Sequence, residues 1–86
     1  MKATDRAEQT ADHGAATELR RREGDELLQM EAIAKLTTIS VPTLRWLRHQ
    51  GEGPPIFRLG RRLVAWRGDV LQWIASQAVQ DAETKR

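Results

Sequence analysis

The side chains best equipped for chemistry fall in two clusters: Ser40, Pro42, Thr43, Arg45, Trp46, Arg48 and His49, then Arg58, Arg61 and Arg62. No acid stands within residues 40–49 or 58–62, and the chain contains no cysteine. Its only histidines are His13 and His49. Neither has a carboxylate pair beside it, so a structural zinc site or a Ser-His-Asp relay cannot be assembled. Ser40 is better explained as a helix cap than as a nucleophile. Gly51 and Gly53 lack the third glycine and the preceding strand of a dinucleotide-binding loop. Arg67-Gly68-Asp69 spells a cell-adhesion tripeptide, but it falls at the start of a predicted helix and reads as coincidence. These residues point to no enzyme, cofactor or small-molecule substrate. On duplex DNA, Arg45, His49 and Thr43 would face base edges, while Arg48, Arg58, Arg61 and Arg62 would hold phosphates.

The elements that position them follow from periodicity. With Leu44 and Leu47 on the buried side of a helix, Pro42, Arg45, Trp46 and His49 fall on the outward side and Arg48 on the flank. An apolar stripe behind a cationic face suits a recognition helix in a DNA major groove. The helix is predicted over about Val41 to Gln50, with Ser40 as N-cap, Pro42 in the first turn and Gly51 at a left-handed C-cap. Ahead of it, Met30, Ile33, Ala34 and Leu36 recur at three- and four-residue spacing and predict a helix over about residues 30–37. The joining turn, Thr37-Thr38-Ile39, has no glycine; a positive φ at Thr38 would store about 1–2 kcal/mol. Ile39 then plugs the core, and the pair reads as a helix-turn-helix.

After the stiff connector Gly51-Glu52-Gly53-Pro54-Pro55 come two β-prone runs, Ile56–Leu59 and Arg62–Trp66. Gly60-Arg61 between them suits a type II′ hairpin turn. A basic hairpin behind a recognition helix is a wing, whose Arg58, Arg61 and Arg62 would reach phosphates or the minor groove. A third helix is predicted from about Gly68 or Asp69 to Gln77 or beyond, with Val70, Trp73 and Ile74 on one face and Trp73 as core anchor. Trp46 points outward, where it either contacts DNA or packs on the wing or a neighbouring copy.

Charge is distributed unevenly. Residues 1–31 hold eight acids against five bases, whereas residues 40–68 hold six arginines against the single acid Glu52. The overall +2 therefore hides a basic centre of the kind nucleic-acid faces carry. Residues 1–26 have almost no apolar residue larger than alanine and are expected to be a mobile arm; Thr17 to Glu23 can form a transient helix, and Arg20–Arg22 could touch phosphates. Leu27 and Leu28 open the domain as an extended or helical lead-in, the domain spans residues 27–77, and residues 78–86 are expected to fray. No apolar run is long enough for a membrane helix and no signal-peptide pattern opens the chain, so a cytoplasmic location is expected.

Taken in order, Leu27-Leu28, the helix-turn-helix with Ile39-Ser40, Pro54-Pro55, Arg58-Leu59-Gly60-Arg61-Arg62 and Asp69-Val70-Leu71-Gln72-Trp73-Ile74 resemble the phage excisionase and AlpA-type regulator group. Those are small winged-helix domains related to the MerR DNA-binding head, and the resemblance covers about residues 27–76. It implies a mainly α fold with a small β-hairpin, a winged helix-turn-helix with a recognition helix at Ser40–His49 and a wing at Arg58–Arg62. The family's usual turn glycine is Thr38 here, its first-helix cap is Gln29, and its aromatic near the end of the second wing strand is displaced to Trp66. The expected role is an excisionase that binds and bends double-stranded attachment-site DNA for a phage integrase, alongside neighbouring copies of itself. The alternatives are a small AlpA-like transcriptional regulator and, from another class, a protein-interaction module.

Overall fold

A computed structural model describes residues 14–84; residues 1–13, His13 among them, and residues 85–86 lie outside the described part. The elements in chain order are α1 (residues 14–21), β1 (Leu27–Gln29), α2 (Met30–Thr37), α3 (Val41–His49), β2 (Phe57–Leu59), β3 (Arg62–Trp66) and α4 (Arg67–Thr84). The described residues make a small, mostly helical domain with one three-stranded antiparallel sheet.

Both ends of α3 form as its sequence predicts. The Ser40 hydroxyl accepts the Thr43 backbone N–H at 3.4 Å and donates to Thr43 Oγ1 at 2.9 Å, which occupies a donor the first helical turn leaves unpaired. Beyond the last turn Gly51 takes φ 75°, the Glu52 N–H reaches the Leu47 carbonyl at 2.8 Å and the Gly51 N–H that of Arg48 at 3.0 Å. This pair of bonds is a Schellman closure, and it turns the chain sharply into the Pro54-Pro55 connector.

The α2–α3 turn does carry strain. Thr38 sits at φ 63°, in the left-handed region where a β-branched residue is an outlier. Side-chain bonds hold it there: Thr37 Oγ1 donates to the Ile33 carbonyl at 2.8 Å and accepts the Ile39 N–H at 3.2 Å. Replacing Thr38 by glycine removes about 1–2 kcal/mol of strain and returns about 0.4–1 kcal/mol through the freer unfolded chain. Thr38→Gly is therefore expected to raise the thermal midpoint by a few degrees in a melt followed by circular dichroism. A lower midpoint would show that the bond Thr38 Oγ1 donates to the Thr37 carbonyl outweighs the φ cost.

The hairpin is joined at Gly60-Arg61, pairing Leu59 with Arg62, Arg58 with Leu63 and Phe57 with Val64. Gly60 has φ 64° while Arg61 stays negative, as a type II′ turn requires. The sheet is wider than the expected two strands. Leu27–Gln29 form β1 and occupy the other edge of β3, Leu27 opposite Trp66 and Leu28 opposite Ala65, in the order β1-β3-β2. A three-residue strand has no periodic signature of its own; the free edge of β3 determines its conformation.

The core gathers where α2, α3, α4 and β3 meet. Ile33, Leu44, Ala65 and Val70 are wholly buried and Met30 nearly so, and Leu28, Leu36, Ile39, Val41, Ile56, Leu63 and Ile74 pack around them. Trp73 is not the anchor expected of it. Val70 is α4's fully buried contribution, and the half-buried Trp73 lies at the domain edge near Leu47 and Gly53. The end of α4 also departs from the expected fraying after Gln77, since the helix continues to Thr84. Residues 78–84 contain no glycine or proline to stop it and are mostly good helix formers.

Residues 14–26 fold onto the domain, in contrast to the separate mobile arm expected for residues 1–26. The helix anticipated at Thr17 to Glu23 is present as α1, and Arg22 just after it bridges to α4. Its two terminal nitrogens meet the two Asp69 carboxylate oxygens at 2.9 Å each, and Nε meets Glu18 at 3.0 Å. Asp25 is 3.4 Å away, and the guanidinium lies 5.1 Å from the Trp66 ring centroid. The bond to Asp69, before the others, raises the pKa of Arg22 above its ordinary value. Partners 47 residues apart leave no trace in local composition.

Asp25 completes the junction. Its Oδ1 accepts the Gly68 N–H at 3.0 Å and the Glu26 N–H at 2.8 Å, so it caps α4 from a distant part of the chain. The Gly68 bond leads in holding the carboxyl below its usual range. A depressed carboxylate stabilises the fold fully above the unfolded value of about 3.9, and this is lost as pH falls through the lower folded value. Acid titration is thus expected to release the Gly68 amide below about pH 4 in NMR spectra, and Asp25→Asn to remove that pH dependence.

Candidate nucleic-acid interface

The β2 side chains alternate between the two faces of the sheet. Arg58, opposite Leu63, faces the side where α2 lies; Phe57 and Leu59 face the other. The tight turn then brings Arg61 and Arg62 beside Arg58. Together with Lys35 from α2 and Arg45 from α3, these residues line an open cleft of about 710 Å³. Five cations from three separate elements share this cleft with one acid, Glu31. All five are exposed, so their charges act through solvent and suit a mobile, solvated polyanion better than a buried counter-ion.

The structure sorts the expected contact residues into groups. Arg45 joins Arg58, Arg61 and Arg62 at the cleft, so the helix and the hairpin present one continuous basic surface. Ser40 and Thr43 bond to each other in the α3 cap. Arg48 turns back toward the connector, where its Nε donates to the Ile56 carbonyl at 3.5 Å. Pro42, Trp46 and His49 are exposed at four- and three-residue spacing, and Trp46 keeps 57% of its surface accessible. Arg22, considered in the sequence as a phosphate contact, is taken up by three carboxylates.

Sequence reading missed Lys35. It lies on the solvent side of α2, and only the fold shows that this side and the hairpin border the same cleft. The available signal was its position as the sole basic residue in an otherwise uncharged last turn.

The opposite face of the sheet is apolar. Leu19, Leu27, Phe57, Leu59 and Trp66 border an open groove of about 620 Å³ beside the Arg22–Asp69 junction. Among the described residues there is no group of three His, Cys, Asp or Glu side chains placed to hold a metal. No helix among them is long and apolar enough to cross a membrane. In comparisons with known proteins, no family model, no curated protein and no solved structure matches this chain.

Proposed function

We propose that this protein binds duplex DNA as a winged helix-turn-helix, with α3 toward the major groove and the β2–β3 hairpin as the wing. The observation that carries the reading is the convergence of Lys35, Arg45, Arg58, Arg61 and Arg62 on one cleft beside the outward face of α3. A phosphodiester strand is the polyanion whose repeat suits cations strung along such a cleft. Shift assays on a random-sequence duplex at several salt concentrations test it. Affinity is expected to fall linearly in log–log form with salt, and Arg61→Ala with Arg62→Ala to lower the slope by about 0.9 per lost contact. An unchanged slope would remove the wing from the interface.

The resemblance set out above extends the proposal to an excisionase. A lone domain of this size buries little DNA, so useful affinity would come from several copies on adjacent sites and a shared bend. Cooperative footprints on tandem attachment-site sequences, a measurable bend, and dependence of excision but not integration on the protein are the expected results with its integrase. Occupancy of one promoter site without bend or cooperativity would favour the AlpA-like regulator. If no duplex is bound, the apolar groove at Leu19, Phe57 and Leu59 favours a protein-interaction module instead.

A further inference from the structure

We infer that α3 recognises its DNA chiefly through pyrimidine C5-methyl groups, read by Trp46 and Pro42, with His49 supplying the hydrogen bond. The inference rests on duplex DNA being the ligand and concerns which side chains carry sequence preference. An ordinary recognition helix offers arginine, asparagine or glutamine to base edges. Here Ser40 and Thr43 bond to each other in the cap, Arg48 donates to the Ile56 carbonyl, and Arg45 stands among the cations of the cleft, where phosphate is the expected counterpart.

Pro42, Trp46 and His49 form the outward stripe of α3, with Gln50 beyond it at the C-cap. Their spacing places them along one helical stripe, and all three are exposed. Trp46 keeps 57% of its residue surface accessible, and its large apolar ring calls for an apolar counterpart. In the major groove the apolar feature of a base edge is the C5-methyl group of thymine, which 5-methylcytosine shares. Pro42 and Trp46 are about 6 Å apart along the helix axis, close to two base-pair steps. The pair can therefore cover methyl groups on neighbouring steps, while a ring N–H of His49 donates to a purine N7 or O6 nearby. Arg45 then acts as a phosphate contact, and its loss weakens all sequences alike.

The probe is a duplex library with a randomised central segment, from which bound sequences are selected and the best resynthesised with deoxyuridine in place of thymidine. Selected sequences are expected to share thymines, and the uracil version to bind the wild-type protein about fourfold more weakly for each methyl read. Trp46→Ala, at an exposed site, is expected to fold normally, keep the wild-type salt slope and lose the share of discrimination due to its own methyl contact, and Trp46→Ala with Pro42→Ala to bind the thymine and uracil duplexes equally. Equal binding of the two duplexes by the wild type would overturn the inference. So would undiminished discrimination by the variant lacking both Trp46 and Pro42, which would trace the effect to duplex stiffness. Absence of salt-dependent binding to any duplex would instead overturn the DNA reading beneath it.

Discussion

Leu44→Ala is expected to show no cooperative unfolding transition at 25 °C, because the variant is largely unfolded before denaturant is added. Leu44 is 0% exposed and packs with Ile33, Ala65 and Val70, the innermost part of a small core. Truncating a buried leucine costs about 2–5 kcal/mol, the lost transfer energy plus the cavity left behind. A core of this size supplies only about 3–5 kcal/mol of net stability, so the substitution consumes most or all of it. Trp73→Ala removes a larger side chain, yet one that is only half buried at the domain edge. It is expected to melt cooperatively at a lower midpoint. Urea titrations followed by far-UV circular dichroism compare the two, and the reverse order of severity would move the core from Leu44 to Trp73.

The largest expected effect on binding comes from removing the cleft's charge. Lys35, Arg45, Arg58, Arg61 and Arg62 are all exposed, so replacing all five by glutamine is expected to leave the thermal melt close to wild type. If each holds one phosphate, the log–log salt slope falls by about 4.5, five contacts at about 0.9 each, and binding of random and selected duplexes falls together. Arg67→Gln is the matched control: it is exposed but does not line the cleft, and is expected to leave the slope unchanged. A five-residue variant with the wild-type slope would place the DNA elsewhere. Leu44→Ala and the charge variant also fail differently, one through the melt and the other through the salt dependence.

The features legible in the sequence were those determined within a few residues. Ser40, Pro42 and Gly51 mark the ends of α3 because caps and closures are local chemistry, and the missing glycine at Thr38 announced the positive φ found there. Gly60-Arg61 similarly specified the hairpin turn. Features set by distant partners were not legible. Leu27–Gln29 become a strand because β3 offers an edge, and residues 14–26 are docked because Asp69 receives Arg22. Trp73 shows the limit of periodicity, which indicates which face a residue shares but not how deep the face lies beneath the neighbouring elements. At the site, spacing put Arg45 on the outer side of α3 and three arginines on the hairpin, which line one cleft, but the division between cleft, cap and outward stripe depended on side-chain bonds that spacing does not specify.

The Arg22–Asp69 and Asp25–Gly68 bonds also bear on the order of assembly. They close loops of 47 and 43 residues, whereas the α2–α3 turn and the hairpin close within a handful. Loop-closure entropy makes long-separation contacts late ones, so α2, α3 and the hairpin would form a nucleus on which α1 settles last. Read backwards, the same ordering makes the α1 junction the cheapest part of the native state to open. In native-state hydrogen exchange, the Gly68 amide would lose protection together with the amides of α1 while those around Ile33 and Leu44 stay protected. One sub-global opening would then free the first described helix and uncap the last, so segments at opposite ends of the sequence would exchange as a single unit.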